Sequence, residues 1–350
     1  MNARLIAGLV GMAAALLFPA AAPAEDLDLW PAAARAQIER VIATAPPGSY
    51  ATFDADNTLW KNDVEEGLLP FLENKGVLSV ATLDPSLRPI PLLPDESLYG
   101  YYQRMCDIDE KLCYPWIAQV FAGRPLAELK RAVDAMMASK APIPVRYRKD
   151  GKQVSSAVYA PAIFPAQRQL MAYLRAHGVR VYVVSASGEE LVRDIVSDPI
   201  YHFDVAPENV IGVTQLLRNP DNGSVTTARQ QIASGHYLDA DYPPALAARM
   251  ILTPTLWSPL TWHEGKVAGI QAYIDPVRRP ILAAGDSRSD WPMLYYAGGV
   301  RIWVDRKGSA TPELERKRVA RAAMERDAGL TPPLAADAGW VQVTQPELGQ

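Results

Sequence analysis

The chain has four short, mainly hydrophobic runs, at residues 49–53, 179–184, 280–284 and 299–304. Strands that are buried on both faces, as in parallel sheets, have such continuous runs rather than an alternating pattern. Helical periodicity at residues 164–176 and 189–196 flanks the second run. Because strands that alternate with helices form parallel sheets, the pattern predicts an α/β fold whose core is a doubly wound parallel sheet.

The first strand is separated from the next α/β unit by about one hundred residues, whereas an ordinary βα loop has roughly 2–6. In this stretch, prolines cluster at residues 83–94, and helix-like segments follow at 98–119 and 126–139. We therefore predict an inserted, mainly helical cap domain. The predicted domains are a core of residues 25–62 and 163–350 and a cap of residues 63–162.

A second insertion into the core is predicted at residues 205–265. Residues 219–223 read Asn-Pro-Asp-Asn-Gly, and Val225 and two threonines follow them. A turn sequence that ends in Asn-Gly before β-branched residues is typical of a hairpin.

The N-terminus has the pattern of an export signal. Arg4 precedes an apolar stretch at residues 5–18, and Ala22-Pro23-Ala24 has the small residues of a cleavage site. This predicts a signal peptide over residues 1–24 and a mature chain that starts at Glu25. The alternative is an N-terminal membrane anchor, but the apolar stretch is shorter than the roughly 20 residues that span a bilayer. We expect a periplasmic or secreted protein without a stable membrane anchor.

The overall charge does not favour a polyanionic partner. The chain of 350 residues has 35 basic and 39 acidic residues, and 49% of it is hydrophobic. A balance of this kind has no basic footprint for nucleic acid or an anionic membrane surface. The hydrophobic content is enough for a large core, which excludes a disordered chain.

The two cysteines, Cys106 and Cys113, both follow the predicted signal. Disulfides persist in the compartments that exported proteins enter, so we expect a Cys106–Cys113 disulfide, with two free thiols as the alternative. The four histidines have no metal-ligand spacing and are interpreted as structural; they are His177, His202, His236 and His263.

Two carboxylates come directly after the first predicted strand, in the sequence Asp54-Ala-Asp56-Asn-Thr-Leu59. One carboxylate can attack phosphorus while the other transfers protons to the leaving group and from water. The alternative is a calcium loop, with Glu65 as its last ligand. Such a loop requires a glycine where this chain has Leu59 and a helix where it has a strand, so the alternative is disfavoured.

Three further segments carry candidate chemistry. Ser185 follows the second strand at the start of a predicted helix, where anions bind well, although a simple helix cap is the alternative. Lys266 can neutralise phosphate charge, although most lysines are surface residues. Asp286 and Asp290 follow the third strand and suit a hard cation, with a helix N-terminus as the alternative.

The four motifs together are far more specific than any one of them. In order along the chain they are Asp-x-Asp-x-Thr, Ser, Lys and Gly-Asp-x-x-x-Asp, and each carboxylate motif follows a predicted strand. This order resembles that of the haloacid-dehalogenase-like hydrolase superfamily. The resemblance implies a Rossmann-like core with an inserted cap, which agrees with the domains predicted above. It covers most of the mature chain.

The resemblance also implies a role for each motif. Asp54 is the nucleophile and Asp56 is the general acid and base. Mg²⁺ is the implied cofactor, with other divalent cations possible. Its implied ligands are Asp54, the main-chain carbonyl of Asp56, and Asp286. Asp290 either orients Lys266 or approaches the metal through water. The implied phosphate-binding residues are Asn57, Thr58, Ser185 and Lys266.

A narrower resemblance, near the phosphoserine phosphatase branch, is to the periplasmic phosphorylcholine phosphatases. It is carried by Asp-Ala-Asp-Asn-Thr-Leu-Trp at residues 54–60, Val-Val-Ser-Ala-Ser at 183–187 and the export signal. It implies a phosphomonoester hydrolase whose partner is phosphorylcholine or a related small phosphate ester. The alternatives are a broad-specificity exported acid phosphatase and a non-enzymatic exported protein that binds calcium or another ligand. The sequence does not indicate an oligomeric state.

The cap can supply a pocket for a quaternary ammonium group. Aromatic faces and carboxylates attract such cations. The candidate residues are Glu65, Glu66, Tyr101 and Tyr102. The alternative for the tyrosines is that they pack the core of the cap itself.

Overall fold

The computed structural model describes residues 26–306 and 312–349. The predicted signal peptide and the predicted first mature residue, Glu25, therefore lie outside the described residues. The strands are β1 Tyr50–Phe53, β2 Trp60–Lys61, β3 Ile143–Lys149, β4 Lys152–Val158, β5 Ala162–Ile163, β6 Arg180–Gly188, β7 Val210–Val213, β8 Gln215–Arg218, β9 Val225–Thr226, β10 Ile251–Leu256, β11 Leu282–Gly285, β12 Val300–Asp305 and β13 Trp340–Thr344.

The α-helices are α1 Ala32–Ala43, α2 Val64–Asn74, α3 Leu98–Ile108, α4 Glu110–Gln119, α5 Leu126–Ala138, α6 Pro165–Ala176, α7 Glu189–Val196, α8 Ala228–Ala233, α9 Pro244–Ala247, α10 Glu264–Tyr273, α11 Trp291–Tyr296 and α12 Pro312–Asp327. Short 3₁₀ turns lie at Pro85–Leu87, Pro199–Tyr201, Pro207–Asn209, Arg288–Asp290 and Pro346–Leu348.

The core is a six-stranded sheet in the order β13-β12-β11-β1-β6-β7. All five neighbouring pairs in this sheet are parallel. The central strands are buried along their whole length, as the continuous apolar runs predict. The predicted α/β fold is confirmed. The carboxyl ends of β11, β1 and β6 lie side by side, and this edge is where parallel sheets bind ligands.

The cap begins after β2 and ends before β5, and these two short strands pair antiparallel. Between them are four helices, α2 to α5, and a hairpin of β3 and β4 that was not predicted from the sequence. Asp150 and Gly151, both at positive φ, form the two-residue turn of this hairpin. The cap boundary at residues 63–162 stays a prediction.

The predicted single helical segment at residues 98–119 is two helices in the structure. Asp109 has an extended backbone with φ −164°, and its side chain accepts a hydrogen bond from the amide of Lys111, so it ends α3 and caps α4. A disulfide between Cys106 and Cys113 joins the two helices.

The second insertion carries the three-stranded antiparallel sheet β10-β8-β9, in which the turn at residues 219–223 connects β8 and β9. It touches the cap through backbone hydrogen bonds, since the amide of Gly123 donates to Leu252 and the amide of Leu126 donates to Met250. Across residues 26–306 and 312–349, no helix is long and apolar enough to cross a membrane.

Candidate active site

Three of the four predicted motifs meet at the carboxyl edge of the sheet, and the fourth reaches it from α10. Asp54 follows β1, and its amide donates to the carbonyl of Ala284 in β11 at 2.9 Å. Ser185 lies in the carboxyl-terminal half of β6, beside β1. The four motifs line a cavity of about 150 Å³, which the cap covers. The strand order therefore brings together residues that are far apart in sequence.

Lys266 is fully buried and lies between two carboxylates. Its Nζ is 2.5 Å from Oδ1 of Asp54 and 2.7 Å from Oδ1 of Asp290, and it also donates to the carbonyl of Val184 at 2.9 Å. Burial lowers the pKa of Lys266, but the two carboxylates outweigh this effect and raise the pKa above its usual value. The lysine is therefore a charged residue inside the site and not a solvated surface residue.

Asp54 contacts a hydroxyl as well as the lysine. Thr58 Oγ1 is 3.4 Å from Oδ2 of Asp54 and 3.1 Å from Oδ1 of Asp286, so it bridges the first and fourth motifs. Burial and the nearby Asp290 together raise the pKa of Asp54 to about 7, although Lys266 opposes both effects. A further cation beside Asp54 would favour its ionised form.

Asp56 is held by three donors. Its Oδ1 accepts hydrogen bonds from Trp60 Nε1 at 2.7 Å and from the amide of Val64 at 2.8 Å, and its Oδ2 accepts one from Ser187 Oγ at 2.6 Å. Burial and the charge of Asp63 together raise the pKa of Asp56 to about 8. A carboxyl group that keeps its proton near neutral pH can act as a general acid.

The fourth motif provides a carboxylate cluster. Carboxylate oxygens of Asp54, Asp286 and Asp290 lie within 4.8 Å of one another, and all three residues are buried. Asp286 also pairs with Arg306, which follows β12. Burial raises the pKa of Asp286 well above its usual value, and Arg306 opposes this effect. Oxygen ligands at this spacing suit a hard divalent cation such as Mg²⁺.

Asp290 is more strongly engaged than the other two carboxylates. Its Oδ2 accepts hydrogen bonds from the amides of Asp286 at 3.0 Å and Ser287 at 2.9 Å, and its Oδ1 faces Lys266. Burial raises the pKa of Asp290, but Lys266 and these amides lower it below the usual value. Asp290 is thus an ionised partner that fixes the position of Lys266.

Two serines at the end of β6 face the cavity. Ser185 Oγ accepts a hydrogen bond from the amide of Ser187 at 3.1 Å, and both serines line the cavity. Ser187, which was not predicted from the sequence, connects this loop to Asp56. A hydroxyl and amides at the start of α7 are suitable donors for phosphate oxygens.

The cap wall of the cavity is rich in acids. Asp63 caps α2, because its Oδ1 accepts from the amides of Glu65 and Glu66 at 3.0 Å each. Glu65 Oε1 accepts from the amide of Gly188 at 2.9 Å, and Glu66 Oε1 accepts from Tyr102 OH at 3.0 Å. Burial raises the pKa of all three acids. Glu65 therefore belongs to a helix that touches the core, which does not match a calcium loop.

Four of the predicted catalytic, phosphate, metal and pocket residues do not line the cavity. Thr58 and Asp286 lie behind its wall and contact each other beside Asp54. Asn57 and Tyr101 have other roles. The Oδ1 of Asn57 accepts from the amide of Asn62, so Asn57 shapes the turn at a φ of 61°. Tyr101 is buried in the cap, with its OH donating to the carbonyl of Ile90 and its ring against Trp116. The alternative of cap packing therefore describes Tyr101, whereas Tyr102 lines the cavity.

Among the residues of the cavity, Asp63, Ser187 and Arg306 were not predicted from the sequence. For Asp63, the pattern Asp-x-x-Glu before an apolar run was an available sign of a helix N-terminus. For Arg306, a charged residue directly after a buried strand was the available sign, because β12 ends at the same edge of the sheet.

No protein-family model matches the chain. A curated protein from Pseudomonas aeruginosa, phosphorylcholine phosphatase, is 46% identical over 350 residues, which cover 97% of this chain and 98% of that protein. A conserved protein of unknown function from Anaerococcus prevotii has a solved structure with a TM-score of 0.55 and 17% identity, over 83% of this chain and 90% of that one. A HAD family hydrolase from Salmonella enterica has a TM-score of 0.42 and 14% identity, over 79% and 67% of the two chains.

The Anaerococcus structure supports the fold alone. The identity and coverage of the Pseudomonas protein show the family directly. The non-enzymatic alternative therefore does not apply. The chain belongs to the family of phosphorylcholine phosphatase and is therefore a phosphoric monoester hydrolase.

Proposed function

We propose that the protein is a Mg²⁺-dependent phosphatase that forms an aspartyl phosphate on Asp54 and acts on phosphorylcholine or a related small amino-alcohol phosphate. The observation that carries the proposal is the arrangement of Asp54 between buried Lys266 and Thr58, with the buried acid Asp56 in the same cavity.

Asp54 and Asp286 have the oxygen donors that Mg²⁺ requires, and the backbone carbonyl of Asp56 is the third protein ligand that we propose. Asp290 contributes through its charge and holds Lys266. An ion held by these residues would stabilise the negative charge on the transferring phosphoryl group and would favour the ionised form of Asp54. Arg306, which pairs with Asp286, is a second cation at the same carboxylate.

In the first step, a carboxylate oxygen of Asp54 forms a bond to phosphorus as the bond from phosphorus to the ester oxygen breaks. Asp56 gives its proton to that oxygen, so the leaving group departs as the alcohol and not as the alkoxide. Lys266, Ser185 and Thr58 bind the phosphoryl oxygens, which collect charge as the phosphoryl group moves.

In the second step, Asp56 takes a proton from water and the water oxygen attacks phosphorus. The bond between phosphorus and Asp54 breaks, and inorganic phosphate leaves. Asp56 is protonated again, so the enzyme returns to its starting state. A single carboxyl group that serves both steps needs the raised pKa that burial gives to Asp56.

The substrate proposal depends on the cap wall. The leaving group meets Glu65 and Glu66 together with the rings of Tyr102 and Tyr114. Carboxylates and aromatic faces in a desolvated pocket attract a quaternary ammonium group. The Pseudomonas relative is named for its action on phosphorylcholine, which agrees with this chemistry.

The experiment is phosphate release by the purified protein from phosphorylcholine, phosphoethanolamine and p-nitrophenyl phosphate, with Mg²⁺ and with a chelator. We expect Mg²⁺-dependent turnover that favours phosphorylcholine and is lost in Asp54→Asn. Equal rates on all three esters would instead identify a broad-specificity phosphatase. Turnover that survives Asp54→Asn or the chelator would exclude the mechanism.

We also propose that residues 1–24 direct export, so that the protein acts in the periplasm or outside the cell. The disulfide between Cys106 and Cys113 supports this location, because disulfides persist in oxidising compartments. Mass spectrometry of the protein from its native host would give a mature chain that starts at Glu25. An intact Arg4 in the recovered protein would contradict the proposal.

A further inference from the structure

One turn of the core meets the cap next to the catalytic lysine. Glu110, the first residue of α4, places Oε1 2.7 Å from Nε2 of His263, the residue that precedes α10. One helical turn further, the ring of Tyr114 packs edge-to-face against Trp262, with centroids 6.2 Å apart. The cap is therefore joined to the turn at residues 260–265, whose last two residues begin α10, and Lys266 is the next residue of that helix.

The same turn is braced from the core side. Thr261 Oγ1 donates to the carbonyl of Ser185 at 2.6 Å, and the amide of His263 donates to Ser289 Oγ at 3.3 Å. The amide of Lys266 donates to the carbonyl of His263 at 3.1 Å. One short segment thus contacts the second and fourth motifs while it positions the third.

His263 has a backbone conformation that side-chain-bearing residues rarely adopt, with φ 50° and ψ −128°. Such a conformation persists only where the surroundings hold it. Another residue of the turn, Gly265, has no room for a side chain, because a Cβ there would lie 1.7 Å from the carbonyl oxygen of Leu260. The turn is tight and strained, so a contact that holds the His263 side chain also affects the backbone that leads to Lys266.

The contact lies between two cavities. His263 and Arg288 line an outer cavity of about 560 Å³, whereas Lys266 and Ser289 line the catalytic cavity. Glu110 lines the outer cavity, and Tyr114, on the same helix, lines the catalytic one. The first turn of α4 is therefore part of the wall that separates the catalytic cavity from the open groove.

The corner of the cap that carries Glu110 is itself fixed. Cys106 in α3 and Cys113 in α4 are bonded, with their Cα atoms 5.0 Å apart, and Glu110 lies between them in sequence. Asp109 caps the helix at the residue before Glu110. The carboxylate is thus presented to the core from a rigid base, which reduces the entropy cost of the contact.

We propose that Glu110 and His263 are positioning residues: their contact closes the cap over the catalytic cavity and holds the turn that places Lys266. This inference rests on the proposed phosphatase function for its kinetic consequence, but the effect on the turn is independent of any activity. Neither residue touches the reacting atoms.

The first test is amide hydrogen exchange in the purified protein. Glu110→Ala removes the contact from the cap side, and we expect about two- to fivefold faster exchange at Gly265 and Lys266, which follow His263 in the core, because the contact is partly exposed. The matched control is Lys111→Ala, which changes the neighbouring residue of α4 and leaves the contact intact. Unchanged exchange at Gly265 and Lys266 in Glu110→Ala would overturn the proposal, whether or not the protein hydrolyses any ester.

The second test is steady-state kinetics with phosphorylcholine and Mg²⁺. We expect Glu110→Ala to lower kcat/KM about two- to fivefold, the factor of one partly exposed pair. Glu110→Gln keeps an acceptor for Nε2 and should recover most of the loss, which a merely structural defect would not show. His263→Asn tolerates positive φ but does not reach Glu110, so it should match Glu110→Ala, and the double variant should be no worse than either. Additive losses, or no recovery in Glu110→Gln, would overturn the proposal; a wild-type protein without turnover would instead contradict the proposed function.

Discussion

A buried ion network lies where β6, the strand that carries Ser185, ends and α7 begins. Its central carboxylate allows a quantitative test of how much the network contributes to the stability of this part of the site. Glu189, the first residue of α7, is 1% exposed. It faces Arg193 at 2.6 Å and Arg229 at 3.0 Å, and it accepts hydrogen bonds from Thr214 Oγ1 at 2.9 Å and the amide of Gly212 at 3.2 Å. We predict that Glu189→Gln destabilises the protein strongly.

The magnitude follows from the two guanidinium groups that the substitution leaves behind. The side chain of Arg229 is 2% exposed and also donates a hydrogen bond to the carbonyl of Glu208, while Arg193 keeps its pair with Glu190 and its hydrogen bonds to two carbonyls. Loss of one partner of a buried ion pair costs about 3–5 kcal/mol. That is a large part of the roughly 5–15 kcal/mol by which a native protein is stable.

The measurement is urea denaturation of wild type and Glu189→Gln, followed by tryptophan fluorescence. The matched control is Glu128→Gln, which breaks the pair between Arg124 and Glu128, whose side chain is 38% exposed. Exposed pairs of this kind contribute about 0.3–0.5 kcal/mol to the free energy of unfolding. A loss below about 1 kcal/mol for Glu189→Gln, or equal losses for both variants, would refute the reasoning.

The same network gives a pH dependence with a definite sign. Burial raises the pKa of Glu189, but Arg193 and Arg229 outweigh burial and lower the pKa below its usual value of 4.5. A carboxyl group with a lowered pKa in the folded state stabilises the protein above its unfolded pKa, and this contribution is lost as the pH falls through the folded pKa. The difference between wild type and Glu189→Gln should therefore be constant at neutral pH and shrink only in acid.

Three further changes have distinct expected results. Asp56→Asn removes the proton donor, so hydrolysis of phosphorylcholine should fall about 10²–10⁴-fold. The burst of p-nitrophenolate should fall much less, because this leaving group needs no proton. Equal losses with the two esters would contradict the acid role. Glu66→Gln should raise KM for phosphorylcholine about tenfold and leave KM for p-nitrophenyl phosphate unchanged, and an effect on both would contradict a role in cation binding. Cys106→Ser should lower the free energy of unfolding in urea by about 2–3 kcal/mol, as expected for a closed loop of this length. Under reducing conditions, wild type and Cys106→Ser should have the same free energy of unfolding.

The central strands and the four motifs could be predicted from sequence because parallel strands are buried on both faces. The predicted run at residues 179–184 corresponds to β6, and the run at 280–284 to β11, with shifts of a few residues at the ends. Once strands are placed, residues that follow them must meet at one edge of the sheet. The strand pattern and the motif positions are therefore sufficient to predict that Asp54 and Asp286 lie close together.

The cap could be predicted less fully because its contacts are tertiary. Tyr101 and Tyr102 are adjacent on α3, so their side chains point about 100° apart and at most one of them can face the cavity. The amino-acid types do not distinguish the two, and both rings pack against Trp116. The difference is in the hydroxyl groups, since Tyr101 donates to the carbonyl of Ile90 inside the cap and Tyr102 donates to Glu66 in the cavity wall. The hairpin of β3 and β4 was missed although Asp150-Gly151 is a strong turn sequence and β3 alternates between apolar and polar residues. Its second strand, β4, alternates only weakly.

Residues that act through other residues are harder to find from sequence because their contacts are tertiary. His263 was interpreted as structural because no metal-ligand spacing includes it, and its contact with Glu110 depends on how the cap meets the core. Arg306 follows a predicted strand, which places it at the edge of the sheet that carries the site, but its pairing with Asp286 is visible only in the structure.

The central claim is a covalent bond between Asp54 and phosphorus, and trapping that bond tests it most directly. Asp56→Asn slows the attack of water but not the departure of p-nitrophenolate, so the phosphorylated enzyme should accumulate with p-nitrophenyl phosphate and Mg²⁺. After an acid quench, peptide mass spectrometry should find one phosphoryl group on the peptide that contains Asp54, and none in Asp54→Asn/Asp56→Asn. A phosphoryl group on another residue, or a burst of p-nitrophenolate with an unmodified Asp54, would contradict the account.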